Sequence, residues 1–122
     1  MKKLSLTLLI PILLFSCEKD DYSIPNNEVP AWLKTKISQD EKTIKDTPQS
    51  YLNYGAWIRY SWRNEYYFEY QNYLSSSLPK PISANGDTLH FYVFETNTDY
   101  YKEKCCKEFV WEAPGFKDLP GM

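Results

Sequence analysis

The amino-acid sequence predicts an α+β domain: one N-terminal helix packed on an antiparallel sheet of about four strands. Three observations carry that expectation. Apolar residues recur at helical spacing behind a proline at residue 30, apolar and polar residues alternate in several runs beyond residue 55, and short turn signals join those runs. Connections that short suit antiparallel pairing, because parallel strands need a crossover of a dozen or more residues.

The helix is expected over residues 30–43. Proline is favoured at the first helical position, and Ala31, Leu33, Lys34, Lys36, Gln39, Glu41 and Lys42 are good helix formers. Leu33 and Ile37 stand four apart and share a face, with Trp32 beside them. Asp46-Thr47-Pro48 closes the element.

The first strand is expected over 56–63, where Ala56, Ile58, Tyr60 and Trp62 alternate with Trp57, Arg59, Ser61 and Arg63. Arg63-Asn64-Glu65 makes a tight connection without the glycine that the best hairpin turns carry. The aromatic-rich run 66–70 then returns as a second strand. Residues 75–81 are a loop by composition, and Asn85-Gly86-Asp87 is a strong turn signal. Residues 88–95 alternate most cleanly and are expected as a third strand, with Leu89, Phe91 and Val93 on one face and Thr88, His90, Tyr92 and Phe94 on the other. Thr96-Asn97-Thr98-Asp99 reads as a turn and 100–106 is ambiguous. A last strand is expected over 107–112, stopped by Ala113-Pro114-Gly115. In the core, Trp32, Leu33 and Ile37 are expected to meet Ile58, Phe91 and Val93.

The 122 residues carry 14 Lys and Arg against 16 Asp and Glu, a net charge of −2. One domain is expected at that length, and scattered, outnumbered cations argue against a nucleic-acid partner. Leu, Ile, Val and Phe are scarce beyond residue 16, where all 11 Tyr and 4 Trp fall. The core is therefore expected to be built largely from aromatic rings.

The N-terminus reads as an address. Lys2 and Lys3 precede an apolar run over 4–15, too short for the ~20 residues that span a bilayer. Leu14-Phe15-Ser16-Cys17 resembles the lipobox of bacterial lipoproteins, of the variant found in Bacteroidetes. That resemblance implies a signal peptide over 1–16 and lipidation of Cys17. Two or three acyl chains hold a protein at the membrane, where one binds marginally. Glu18-Lys19-Asp20-Asp21 resembles the acidic signal that exports such lipoproteins to the cell surface, which implies roles for Lys19, Asp20 and Asp21 and a place on the outer membrane facing the exterior. The plain alternative is a charged tether. Residues 17–29 are expected as a flexible, lipidated tether and 30–122 as the folded domain.

Little in the remaining chain points to catalysis. His90 is the single histidine and falls within an alternating run, no serine or cysteine has a nucleophile context, and no glycine-rich phosphate loop occurs. Glu65 and Glu69 form a carboxylate pair of a kind that chance supplies in so acidic a chain. No enzyme activity, cofactor or metal is expected. Cys105 and Cys106 are adjacent, with Cα atoms about 3.8 Å apart, closer than the usual disulfide window. A vicinal disulfide, free or packed thiols, and an intermolecular bridge or metal site all stay open.

The order of features, Trp32-Leu33-Lys34 with Lys36-Ile37, then the hairpin from Ile58 to Asn64, then Cys105-Cys106, resembles small Bacteroidetes lipoproteins of unknown function. It lends no activity. The aromatic surplus either covers the sheet or forms a recognition face, for which Trp57, Tyr66, Tyr67, Tyr70 and Tyr73 are the candidates. The expected function is a membrane-anchored, non-enzymatic binding module for a glycan, a peptide or a partner lipoprotein. The alternative is a small inhibitor or protective factor against host or competitor enzymes that uses the loop at 75–83.

Overall fold

The structure, a computed structural model, describes residues 22–75, 78–89 and 94–118, and of 94–98 the backbone alone. The elements are α1 (Ala31–Asp46), β1 (Gly55–Trp62), β2 (Glu65–Asn72), β3 (Ile82–Ser83), α2 (Phe94–Glu103), β4 (Cys105–Glu112) and α3 (Pro114–Lys117), with 3-10 turns at Asn26–Glu28 and Tyr51–Tyr54. The strands form one antiparallel sheet in the order β3-β2-β1-β4. The α+β class and the helix on a four-stranded antiparallel sheet are as expected.

Pro30 sits just before α1 in extended backbone, where its missing N–H costs nothing. Leu33 and Ile37 are fully buried and join Trp57, Phe68, Val110 and Trp111 in the main core. Trp32 meets Trp57 and Phe68 edge-on at 5.9 and 6.0 Å, a favoured aromatic geometry. Lower on the helix, Trp111 Nε1 donates to Glu41 Oε2 at 3.0 Å.

β1 pairs with β2 without a break, from Gly55↔Asn72 to Trp62↔Glu65. Cross-strand partners share a face, so Trp57, Arg59, Phe68 and Tyr70 lie towards α1. Ile58, Tyr60, Trp62, Tyr67 and Glu69 lie on the opposite face, and α2 covers it. Tyr100, fully buried, meets Trp62 at 5.3 Å and Tyr67 at 5.7 Å. The sheet is thus covered on both faces, which is how a domain this small buries so many rings. It also corrects the expected core: Ile58 is buried, but on the face away from α1.

The third expected strand is the main departure. Thr88 makes a single bridge to Ile82, residues 90–93 (with His90, Phe91, Tyr92 and Val93) lie outside the described residues, and Phe94–Glu103 is helix. The turn expected at 96–99 is inside that helix. Thr, Asn and Asp are weak helix formers, so tertiary contacts override propensity here. Those contacts are the burial of Tyr100 and the grip of Asp99 and Glu103 on Arg63, at 3.3 and 3.6 Å. The sheet position beside β2 is taken by β3, drawn from the loop expected at 75–83. Residues 85–87 turn as expected: Gly86 has φ +93° and packs under Trp32, whose Nε1 donates to Ala84 O at 3.0 Å.

The later part of the segment expected as a tether is docked on the domain. Ile24 and Val29 are buried in the main core, Ser23 N donates to Val110 O at 2.9 Å, and Glu28 pairs with Arg59. Ile24 and Val29, with Tyr22 packed against the same core, dock the segment onto the domain from Tyr22 onward.

Candidate functional site

The β1–β2 hairpin turns on Arg63 and Asn64, both in left-handed backbone with φ +51° and +65°. Positive φ at both central positions is what a tight hairpin turn of matching twist requires, and asparagine tolerates it better than most residues. Arg63 then folds back over the Trp62 ring, 4.3 Å from its centroid, while Trp62 Nε1 donates to Glu103 Oε1 at 3.0 Å. The hairpin tip is therefore clamped to the end of α2.

Tyr66 stands next to this clamp and is 44% exposed. The Arg59 guanidinium lies 4.0 Å from its ring centroid. Arg59 is itself buried and held by Glu108 Oε1, at 2.9 Å from Nε and 2.6 Å from Nη2, and by Glu28 Oε1 at 2.9 Å from Nη1. Burial works against the Arg59 charge, but the hydrogen bonds to Glu108 and Glu28 outweigh it and hold the group protonated. The Tyr66 ring is thus fixed from beneath, and both sides of it open onto shallow hollows. One, of about 460 Å³, is lined by Trp62, Arg63, Asn64, Tyr66, Glu103 and Cys105, among others. The other, also about 460 Å³, is lined by Glu65, Tyr66, Ser83, Ala84, Asn85 and Asp87. An exposed ring flanked by carboxylates, amides and hydroxyls can stack an apolar face of a ligand and accept hydrogen bonds around it.

Cys105 and Cys106 are exposed and disulfide-bonded to each other at the rim of the first hollow. Cys106 has φ +68° and sits in a bulge, where β4 skips from the Ser61↔Cys105 pair to Arg59↔Glu108.

The other candidate aromatics disperse. Trp57 is buried under α1, and Tyr67 is buried under α2 on the opposite face. Tyr70 is half-buried against Trp57, with rings 5.3 Å apart, and Tyr73 is exposed at the far end of β2 beside Phe116. Of the five, Tyr66 alone is exposed at the hairpin end. Glu65 and Glu69 share a face but stand four strand rises apart, about 13 Å, beyond the spacing of a hydrolytic carboxylate pair. Cys17, Lys19, Asp20 and Asp21 lie outside the described residues.

Sequence reasoning passed over a buried polar cluster beneath α2. Glu69 Oε2 accepts from Tyr100 Oη at 2.5 Å and from Lys104 Nζ at 2.8 Å, while Glu69 Oε1 has no hydrogen-bond partner. The Lys104 ammonium also lies over the rings of Tyr60, Tyr101 and Tyr100, at 3.8, 4.9 and 5.2 Å. Burial, and then the hydrogen bond to Glu69, push the Tyr100 hydroxyl far above the usual phenol range, so it acts as a donor throughout. This cluster bolts α2 to the sheet. Its only sequence signal is a charged Glu69 between aromatic strand neighbours. Among the described residues no three His, Cys, Asp or Glu side chains are placed to hold a metal ion, and no helix is long and apolar enough to cross a membrane. No family profile, curated protein or solved structure matches this chain.

Proposed function

We propose that this protein is a non-enzymatic binding module, anchored at the outer membrane through lipid on Cys17 and facing the exterior, and that its binding surface is the hairpin end around Tyr66. One observation carries the second half of this reading. Tyr66 is an exposed ring stacked on a buried arginine, with an open polar hollow on either side. A ring pre-set in this way loses little entropy on binding, which is why such side chains concentrate binding energy. The acceptors around it, Glu65, Asn85 and Asp87, suit a ligand rich in hydroxyl or amide donors, such as a glycan or an extended peptide. The anchor is supported by the lipobox-like Leu14-Phe15-Ser16-Cys17 and the exterior address by Lys19, Asp20 and Asp21.

The test is to probe glycan and peptide arrays with the full-length protein and its Tyr66→Ala and Asp87→Ala variants. Tyr66→Ala is expected to weaken binding at least tenfold, the loss typical of a truncated anchor residue, with a cooperative melting transition retained. Binding that survives Tyr66→Ala at full strength places the site elsewhere.

A further inference from the structure

Among the described residues, the exposed large hydrophobic side chains are Tyr51, Tyr66, Tyr73, Leu74 and Leu78. Tyr66 is at the hairpin end. The other four gather at the opposite end of the sheet, where β1 begins and β2 finishes at the Gly55↔Asn72 pair. Asn72 ties two of these stretches of backbone to one another: its Nδ2 donates to Tyr51 O at 2.9 Å and its Oδ1 accepts from Leu74 N at 2.8 Å. Tyr73 N donates to Tyr54 O at 3.0 Å, and Asn72, Ser75 and Pro79, the chain neighbour of Leu78, line one shallow hollow at this end. Leu74 is 66% exposed and Leu78 is 74% exposed. Single exposed apolar residues are ordinary, but two leucines and two tyrosines exposed at one end of a sheet are not.

The N-terminal segment arrives at the same end. Tyr22 and Ser23 line a hollow of about 570 Å³ together with Trp111, Glu112, Pro114 and Lys117. Glu112 pairs with Ala56, one residue from Gly55. Cys17 precedes Tyr22 by five residues, a reach of at most about 18 Å. The hairpin tip lies seven strand rises away from Gly55, about 24 Å.

We infer that Tyr51, Tyr73, Leu74 and Leu78 form a bilayer-docking face that seats the domain on the headgroup layer. This rests on the reading of Cys17 as lipidated. The chemistry fits an interface: leucines enter the acyl boundary while tyrosines keep a polar tip in the headgroups. Residues 73–80 contain no acidic side chain and end in Lys80, which suits an anionic surface. Acyl chains hold the protein at the membrane; the face sets its orientation and points Tyr66 away from the lipid.

The experiment uses the full-length protein, processed and lipidated in its host, reconstituted into phosphatidylethanolamine–phosphatidylglycerol vesicles with brominated acyl chains. Leu74→Trp and Leu78→Trp place reporters on the face, and Tyr66→Trp places one at the hairpin. The added fluorescence of either leucine variant is expected to shift to the blue and to be quenched, while that of Tyr66→Trp is unaffected. Protein that floats with the vesicles but shows no quenching at either position 74 or 78 overturns the docking face and leaves the anchor standing. Quenching at position 66 reverses the orientation and overturns it as well. Protein that fails to float overturns the anchor itself, and the docking face with it.

Discussion

Asp40 is the residue whose chemistry is least at ease with its surroundings. It is 2% exposed in the helix–sheet layer, with Lys36 Nζ at 3.2 Å from Oδ1 and no hydrogen-bond partner for Oδ2. Burial pushes its carboxyl above the usual range, and the Lys36 charge and hydrogen bond offset only part of that. A carboxyl whose folded pKa exceeds its unfolded one binds its proton more tightly when folded. Stability is then intact at low pH and eroded as pH rises through the folded pKa. Asp40→Asn is expected to stabilise the protein at neutral pH and to match wild type near pH 3. Urea midpoints measured across that range check it. An Asn variant that is weaker than wild type at neutral pH would show that the Lys36 pair dominates. Trp57 Nε1, in the same buried layer, also lacks a hydrogen-bond partner. No sequence pattern announced either group, because Asp40 occupies an ordinary helical position and only packing buries it. Arg59 and Glu69 were equally unreadable: each sits in an alternating strand, and alternation distinguishes faces without saying that both are covered.

At the scale of elements, legibility followed the length and locality of the signal. α1 was readable because Pro30, Leu33 and Ile37 act within one helix, and its packing depends on any apolar sheet face being available. Leu33 is fully buried, and Leu33→Ala is expected to cost about 2–4 kcal/mol, read as a lowered melting temperature. An unmoved melting temperature would mean that α1 does not hold the core. The hairpin was readable for a similar reason, since Arg63-Asn64 separates two runs of matched period. α2 was not. Its exposed and buried positions are set by Tyr100, whose hydroxyl finds a carboxylate 31 positions earlier, and by Lys104, which reaches the same carboxylate. Contacts so distant in sequence leave no trace in local periodicity, and weak helix formers at 96–99 pointed the other way. β3 was missed because two residues cannot display a period. Tyr66 was named among five aromatics, but what sets it apart from Trp57 and Tyr67 is the pairing register and the second covering helix.

For the whole molecule, the two ends of the sheet differ in chemistry. One gathers Tyr51, Tyr73, Leu74 and Leu78 near the point where the N-terminal segment docks, and the other presents Tyr66 between polar hollows. Such a polarity is useful only if the anchored chain is on the side of the membrane where its ligand is, and that decision falls to Lys19, Asp20 and Asp21 in the proposed reading. These charges precede the described residues, among which the first buried core side chain is Ile24. Replacing all three by alanine is therefore expected to leave folding and lipidation at Cys17 intact and to move the protein to the inner leaflet of the outer membrane. Protease shaving of intact cells reads the difference, with Cys17→Ala as the control that blocks lipidation altogether. Wild type is expected to be shaved and the triple variant protected, at equal abundance and equal melting temperature. If both are shaved alike, the acidic run is a solvated spacer, and the outward placement of Tyr66 would have to come from some other part of the chain.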